Sequence, residues 1–365
     1  MESSAPLTTE QNDMLRSAFL CVMLLLVAFS TQAMTRSAQD YKAGMPLRGF
    51  NVDLNLSEQD FKTLDDLNVN AVRVAFASHP LFDEMGGLDS TAVAVLDRYV
   101  RYAKKYNILV LIDVHTFPGN VKKYSGSMGD EYWRNADLKN ALIKSYAQLA
   151  ERFKDESIVI GYDIVNEPAQ AELANYLDFI KQISKTILKV SPGKLVLIQP
   201  RITIQPNGIP NGQRSNWNEI ADLIDDKQVI GSLHYYDPGD FTHQGVHEFP
   251  VNQRLPFLLR SEKSLRLYFR KTLSRVLSHP GPVIVGEFSV SNYSPVDDSD
   301  LYMNTLLDLF ERKGWSWFYH SYKEADIWNP QMSLTKRGLA PDTASKKYLL
   351  LKAHFKLNDR FQAAD

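Results

Sequence analysis

The chain repeats one pattern along most of its length: a short apolar run is followed by a longer stretch with apolar residues at helical spacing. Runs that are apolar throughout are typical of parallel strands buried on both faces. They lie at residues 47–50, 71–76, 109–114, 159–165, 195–198, 229–234, 283–288 and 315–319. Eight such strands alternating with helices predict an α/β fold, a closed (β/α)8 TIM barrel rather than an open sheet.

The stretches between the strands carry the signals of amphipathic helices. Ser57 is placed to cap a first helix that contains Phe61 and Leu64, because a serine side chain accepts from the free N–H groups of a first turn. Gly314 is placed to end a later helix, since glycine readily takes up the left-handed conformation there. Further helices are predicted around 96–103, 138–153, 173–190, 265–277, 301–310 and 348–355, with a weaker one at 217–224.

The length and the charge of the chain suit one globular enzyme domain. It has 365 residues and a net charge of −2, and TIM barrels commonly run from about 200 to over 400 residues as a single domain. So balanced a charge gives no reason to expect nucleic acid as a partner. We expect one catalytic barrel over residues 46–360, preceded by an N-terminal extension at 34–45.

Residues 1–33 have the layout of a secretory signal peptide. Arg16 precedes an apolar run at 18–29, and small residues lead up to Ala33. The run is shorter than the roughly 20 residues of a membrane span. We therefore expect a secreted or periplasmic protein that leaves the membrane after cleavage, with an uncleaved anchor as the alternative. Cys21, the only cysteine, lies in this segment, so the mature chain would have no disulfide and no thiolate.

Polar side chains stand at the carboxyl ends of several predicted strands. In TIM barrels the catalytic residues come from these ends, where the βα loops meet. Any one of them is more often a hydrogen-bonded structural residue, but several on one rim indicate an active site, since a buried charge is costly unless it is paired or used. The candidates are Arg73, His115, Asn166, Glu167, His234, Tyr236 and Glu287.

Glu167 and Glu287 end the fourth and seventh predicted strands, so they would face each other across the barrel mouth. Glycoside hydrolysis uses such a pair: one carboxylic acid protonates the leaving oxygen, and the other carboxylate attacks or stabilises the anomeric carbon. A separation of about 5–5.5 Å would give the retaining mechanism. Arg73 would keep Glu287 ionised and so separate the two roles. This chemistry requires neither a cofactor nor a metal.

Six segments match, in order, the strand motifs of one known family. They lie at 48–51, 70–73, 113–115, 161–168, 234–236 and 285–288. The fourth contains Asn166-Glu167-Pro168, and the sixth contains Gly286-Glu287-Phe288. Over residues 47–330 the chain thereby resembles glycoside hydrolase family five, the cellulase family of clan A. The resemblance implies a retaining β-glycosidase that hydrolyses a β-linked polysaccharide or oligosaccharide.

The resemblance also implies a role for each candidate residue. Glu167 would be the general acid/base and Glu287 the nucleophile. The supporting roles fall to Arg73 on the nucleophile, Asn166 on the sugar 2-hydroxyl, His115 and His234 beside the scissile bond, and Tyr236 on Glu287.

The eighth strand departs from the family pattern. His320 stands where many members place a tryptophan that stacks on a sugar ring. We expect Trp317 to take over the stacking and Trp315 to pack in the core, and we leave the role of His320 open.

Several alternatives remain open at this stage. An endo-β-1,4-glucanase is the first expectation for the substrate, with a β-mannanase or a β-1,3-glucanase as alternatives. Asp113, His115 and His234 would suit a metal-dependent barrel hydrolase, since aspartate and histidine bind divalent metals well. A carbohydrate-binding protein without catalysis is the other class. Substrate choice would depend on the loops at 116–135 and 237–256.

Overall fold

The computed structural model describes residues 36–361, except for 43, 78, 84, 118–134, 170, 205–209, 226 and 247. The predicted signal peptide at 1–33 and most of the loop at 116–135 lie outside the described residues. The predicted extension contains one short helix, α1 (Ala38–Lys42). Within the described part of the chain, no helix is long and apolar enough to cross a membrane.

The strands confirm the predicted TIM barrel. In chain order they are β1 (Arg48–Val52), β2 (Ala71–Ala75), β3 (Leu109–Asp113), β4 (Val159–Asp163), β5 (Leu195–Ile198), β6 (Thr203–Ile204), β7 (Pro210–Asn211), β8 (Val229–His234), β9 (Val283–Phe288), β10 (Ser316–Tyr322), β11 (Met332–Thr335) and β12 (Gly338–Pro341). Eight of these described strands form a closed parallel barrel in the order β1-β10-β9-β8-β5-β4-β3-β2. The remaining four pair as β6–β7 and β11–β12 outside the barrel.

The helices follow the predicted periodicity closely. They are α2 (Glu58–Asp66), α3 (Ser90–Tyr106), α4 (Ala136–Phe153), α5 (Leu173–Val190), α6 (Gly239–Thr242), α7 (Glu262–Thr272), α8 (Ser274–Leu277), α9 (Val296–Lys313) and α10 (Lys346–Phe355). Ser57 caps α2 in a reciprocal capping box with Asp60, and Gly314 ends α9 with a φ of 64°. Both sequence signals therefore act as predicted.

The weak helix predicted at 217–224 is not an α-helix. Two single 3-10 turns lie there instead, Trp217–Glu219 and Ala221–Leu223, and a third, Gln213–Ser215, precedes them. They still cover the barrel wall, because the fully buried Trp217 packs against Gly231 of β8. A Cβ atom at Gly231 would lie 2.4 Å from the Trp217 ring, so only glycine allows this close packing.

A buried polar network ties β10 to β1 where the barrel closes. Arg48 donates two hydrogen bonds to the carboxylate of Glu311 in α9, at 2.8 and 2.7 Å. The same carboxylate accepts a 2.9 Å hydrogen bond from the indole Nε1 of Trp317. The register across this seam sets Arg48 opposite Trp317.

The prediction that Trp317 stacks on a sugar ring is wrong. Its side chain is 0% exposed and packs against Phe288 and against Phe355 of α10, with ring centroids 5.8 and 5.3 Å away. Alternate residues of a strand point to opposite faces, and Trp317 points to the helix layer. Trp315 lies against Phe310 and is buried, as expected for a core residue.

We expect Trp317→Phe to lower the free energy of unfolding by about 1–3 kcal/mol, because the hydrogen bond to Glu311 and part of the ring packing are lost. Binding of oligosaccharides should not change. Denaturant titration and sugar-binding calorimetry on the same variant would test this. Unchanged stability together with weakened sugar binding would restore the stacking role.

Candidate active site

The structure brings together seven of the eight residues that the sequence predicted for the site; Trp317 is the exception. At the centre lies Arg73 of β2, which is 0% exposed. Its guanidinium group donates to Glu287 Oε1 at 2.9 Å and to Asp163 Oδ2 at 3.0 Å. Asp113 Oδ1 lies 3.0 Å from Nη2. One cation thus lies among three buried carboxylates at the ends of β3, β4 and β9.

Two amide side chains complete the shell around Arg73. Nη1 donates to Asn51 Oδ1 at 2.7 Å, and Nη2 donates to Asn166 Oδ1 at 2.9 Å. Asn51 in turn donates to the backbone oxygen of Gly286 at 2.8 Å, which fixes the residue before Glu287. A buried charge is tolerated when its donors are matched to acceptors in this way.

The charges of this cluster shift the pKa values of its members in opposite directions. Burial alone would lower the pKa of Arg73, but Asp113, Asp163 and Glu287 raise it, so the guanidinium stays charged. Burial raises the pKa of Asp163, and the attraction of Arg73 offsets this only in part. Arg73 therefore cannot be treated as the partner of one carboxylate alone.

His115 extends the cluster on the side of β3. Its Nδ1 lies 2.7 Å from Asp113 Oδ2, and its Nε2 lies 3.2 Å from Asn166 Nδ2. Burial would lower the pKa of His115, but the Asp113 carboxylate outweighs it and raises the pKa. A proton on Nδ1 is thus held between the ring and Asp113, and this fixes the orientation of the imidazole.

Glu287 at the end of β9 is held through both carboxylate oxygens. Oε1 accepts from Arg73, and Oε2 accepts from the hydroxyl of Tyr236 at 3.0 Å. His234 Nδ1 lies 3.5 Å from the same Oε2. Burial would raise the pKa of Glu287, but the positive charges of neighbouring histidines and of Arg73 hold it well below its ordinary value. Glu287 is therefore kept ionised.

Glu167 follows β4 in a different environment. Its φ is 43°, a left-handed conformation that costs a residue with a side chain about 1–3 kcal/mol. Its N–H donates to Gln199 Oε1 at 3.0 Å, and its Oε1 lies 2.9 Å from His234 Nδ1. The side chain is 30% exposed, against 7% for Glu287. Backbone strain and a histidine thus hold Glu167 at the open side of the site.

The two glutamates lie close together across the barrel mouth. One oxygen of each carboxylate and a ring nitrogen of His234 all lie within 4.8 Å of one another. The approach of β8 to β9 depends on Gly286, because a Cβ there would lie 2.7 Å from Ser232 Oγ and 3.1 Å from His234 Nε2. A side chain at this position would push His234 away from the glutamates.

Two glutamines that the sequence analysis did not identify position the rim. Gln199, just after β5, donates to both oxygens of Asp163 at 3.0 Å. Gln213 donates to Gln199 at 2.7 Å and accepts at 2.7 Å from the backbone N–H of His234. The sequence could have identified Gln199, because it follows a buried strand as other candidate residues do. Gln213 has no such position, so no sequence pattern points to it.

The wall beside Glu287 contains aromatic rings from two loops. Trp328 lies 6.2 Å from Tyr236, 5.2 Å from His243 and 5.7 Å from His320, between ring centroids. His243 belongs to the loop at 237–256 and packs on Tyr236 at 4.7 Å. Among the described tryptophans, Trp328 rather than Trp317 thus lies at the site, and it follows β10 in a loop that has no strand or helix periodicity to flag it.

Two groups of acidic and histidine side chains have the spacing of metal ligands: Asp113, His115 and Glu287, and Glu167, His234 and Glu287. Arg73 already pairs with Asp113 and Glu287, and His115 is bonded to Asp113. The carboxylates of the first group are thus already paired with positively charged side chains of the protein. Both groups share Glu287. This chemistry favours a charge-paired carboxylate site over a metal centre.

Comparison with known proteins gives consistent matches. The family described as Cellulase (glycosyl hydrolase family 5) matches residues 38–326. Endoglucanase C of Acetivibrio thermocellus is 23% identical over 220 residues, 57% of this chain and 61% of that protein. The chain thus covers less than two thirds of the length of this relative.

Solved structures share the fold. A hyperthermophilic endo-β-1,4-glucanase in complex with substrate superposes with a TM-score of 0.65 at 21% identity, over 86% of this chain and 99% of that one. Thermotoga maritima Cel5A in complex with mannotriose gives a TM-score of 0.64 at 16% identity, over the same shares of 86% and 99%.

The lowered pKa of Glu287 predicts how the stability of the protein depends on pH. A carboxyl group whose pKa is lower in the folded state stabilises the fold above its unfolded pKa, and this contribution is lost as the pH falls. At neutral pH, Glu287→Gln should therefore lower the melting temperature by several degrees. The difference in melting temperature between the variant and the wild type should narrow as the pH falls below about 4.5, the ordinary pKa of a glutamate.

Thermal melts of both proteins across this pH range would measure the gap. Glu172→Gln changes an exposed glutamate at the start of α5 and is the matched control, with a much smaller gap expected, because only the helix N-terminus and Asn175 interact with its carboxylate. A melting temperature of Glu287→Gln at or above that of wild type at neutral pH would mean that repulsion among the carboxylates dominates.

Proposed function

The chain belongs to the cellulase family, glycosyl hydrolase family 5, and on this premise we propose that it is a retaining β-glycosidase that hydrolyses a β-linked polysaccharide or oligosaccharide. One observation carries the proposal: oxygens of Glu167 and Glu287 lie within 4.8 Å of each other. Retaining enzymes separate their two carboxyl groups by about 5–5.5 Å, whereas inverting enzymes leave about 6.5–9.5 Å for a water. An approach this close agrees with the shorter separation, and so supports direct attack by Glu287 rather than by a water.

Glu287 is the proposed nucleophile. It is nearly buried, paired with Arg73 and kept ionised, and a nucleophile must be available as the carboxylate. The hydroxyl of Tyr236 and the guanidinium of Arg73 bind different oxygens, so the carboxylate plane is fixed. Fixing this plane holds one oxygen ready for in-line attack.

Glu167 is the proposed general acid and base. It makes no hydrogen bond to Arg73 among the described contacts, and its greater exposure gives it access to a leaving oxygen and to solvent water. His234 touches Glu167 at 2.9 Å and lies 3.5 Å from Glu287, so one imidazole spans both carboxylates. The proposed supporting residues are Arg73, His115, Asn166, His234 and Tyr236.

The reaction then runs in two displacements. A carboxylate oxygen of Glu287 forms a bond to the anomeric carbon while the bond to the leaving oxygen breaks, and Glu167 gives its proton to that oxygen. Water later attacks the same carbon from the vacated face, Glu167 takes the proton of this water, and the ester bond to Glu287 breaks. The anomeric centre is inverted twice, so its configuration is retained.

The proposed substrate is a β-1,4-glucan cut internally, which agrees with the endoglucanases among the similar proteins. β-Mannan is a second candidate, because Thermotoga maritima Cel5A has been solved with mannotriose; β-1,3-glucan is a third. We also propose that residues 46–360 form the catalytic unit after the extension at 34–45. A signal peptide at 1–33 would direct the protein to the periplasm or the outside of the cell.

Proton NMR time courses on cello-, manno- and laminari-oligosaccharides test the mechanism and the substrate together. We expect fastest cleavage of the cello-oligosaccharides and first appearance of the β-anomer, because two inversions retain the configuration. A chelator should leave the rate unchanged.

First appearance of the α-anomer would rule out the nucleophile role of Glu287. Faster cleavage of another series would change the substrate alone. Tight sugar binding without turnover of any series would favour a carbohydrate-binding protein.

The two glutamates should differ when each is removed. Glu287→Gln should abolish turnover of every substrate, because no nucleophile is left to form the ester. Glu167→Ala should lose about 10²–10⁴-fold on natural glycosides but much less on aryl glycosides with good leaving groups, which need little protonation. Azide should rescue Glu167→Ala and give a β-glycosyl azide.

Steady-state kinetics on an oligosaccharide and on a dinitrophenyl glycoside would separate the two variants. Glu172→Gln provides the matched control and should keep wild-type rates. Equal losses of both variants on the activated glycoside would contradict the assignment of the two roles.

A further inference from the structure

His320, whose role the sequence left open, lies between two carboxylates. Its Nδ1 is 4.0 Å from Oε2 of Glu287 and 3.6 Å from Oε2 of Glu324. The side chains of His320 and Glu324 are 14% and 22% exposed. Among the described residues, neither His320 Nδ1 nor Glu324 Oε2 has a hydrogen-bond partner, although both atoms are buried.

Most buried polar atoms have a hydrogen-bond partner, so a buried donor and a buried acceptor without one call for an explanation. Here a donor and an acceptor lie just outside hydrogen-bond distance of each other, beside the proposed nucleophile. The ring is held from the side by Trp328, at 5.7 Å between centroids. A small shift of the imidazole would bring Nδ1 into hydrogen-bond distance of either carboxylate.

We propose that His320 is a positioning residue for the nucleophile, and that its Nδ1–H alternates between Glu287 in the free enzyme and Glu324 in the glycosyl-enzyme. The inference rests on the proposed function and deepens it. Glu324 acts through His320 and has no direct role in bond breaking.

The alternation follows from the charge that Glu287 loses during the reaction. When its oxygen bonds to the anomeric carbon, the leaving group departs with the proton of Glu167, and the carboxylate becomes a neutral ester. An ester oxygen is a weaker acceptor than a carboxylate. Arg73 keeps Asp113 and Asp163 as partners at that moment. His320 keeps a charged partner only if Glu324 is present.

The electrostatic effect of His320 on Glu287 supports the proposal. After burial and His234, His320 has the largest influence on the pKa of Glu287, and it lowers that pKa. The other described ionisable groups around Glu287 are Arg73, His115, Glu167, His234 and Tyr236, and the variants that test the proposal change none of them.

The test is a double-mutant cycle with His320→Gln, Glu324→Gln and both together, using the substrate that the wild-type protein cleaves best. Asp326→Asn, an exposed change in the same loop, is the matched control. The value of kcat/KM on a poor leaving group reports formation of the ester, and kcat on a dinitrophenyl glycoside reports its hydrolysis. Melting temperatures confirm that each variant is folded.

We expect His320→Gln to lower kcat/KM about tenfold. In the pH profile of kcat/KM of this variant, the acidic limb should move to higher pH, since the loss of a positive neighbour raises the pKa of Glu287. Glu324→Gln should lower kcat/KM several-fold and leave kcat on the activated glycoside unchanged. It should have no further effect once His320 is Gln, because it acts only through that ring.

Independent, multiplying losses in the double variant would overturn the relay through His320. An acidic limb that does not move in a folded His320→Gln would overturn its positioning of Glu287. If His320→Gln fails to fold, the kcat/KM of Glu324→Gln alone tests the proposal. A histidine that only fills space would not respond to the charge of Glu324, so an unchanged kcat/KM would overturn the proposal. A wild-type protein that hydrolyses no glycoside would instead contradict the proposed function, and the inference with it.

Discussion

The buried guanidinium of Arg73 is the interaction on which the barrel mouth depends. It is fully enclosed and contacts three carboxylates and two amides supplied by β1, β3, β4, β9 and the segment after β4. A cation is stable at that depth only because carboxylate and amide oxygens surround it. These acceptors are far apart along the chain, and only the closed barrel gathers the carboxyl ends of their strands at one point.

The same arrangement gives two identical side chains different properties. Glu287 lies inside the charge network and is fixed through both oxygens, whereas Glu167 lies at its edge in a strained backbone conformation and shares a histidine with it. Environment, rather than residue type, decides whether a glutamate attacks or transfers a proton. His234 couples the two, so a change in the charge of one glutamate is felt by the other.

The end of the eighth barrel strand, β10, shows how the face of a strand decides a role. Trp317 and His320 are three residues apart in one aromatic segment, yet Trp317 points to the helices and bonds to Glu311 while His320 faces Glu287. An odd number of residues along a strand separates side chains on opposite faces, so the alternation that turns Trp317 to the helices turns His320 to the barrel mouth. The sequence assigned the sugar-facing tryptophan to Trp317, but Trp328 in the following loop is the one that lies beside His320.

The sequence by itself determined the barrel, because apolar strand runs, helical periodicity, the Ser57 cap and the Gly314 stop are local properties of the chain. It also identified Arg73 and the two glutamates, since a charged side chain within or just after a buried strand is costly unless it is paired or used in chemistry. Tertiary structure alone decided which partners those residues meet. Three features depend on strand register and on loops that pack from elsewhere in the chain: the contact of Asp163 with Gln199, the approach of His320 to Glu324, and the burial of Trp317. No local sequence pattern predicts which residues surround these side chains.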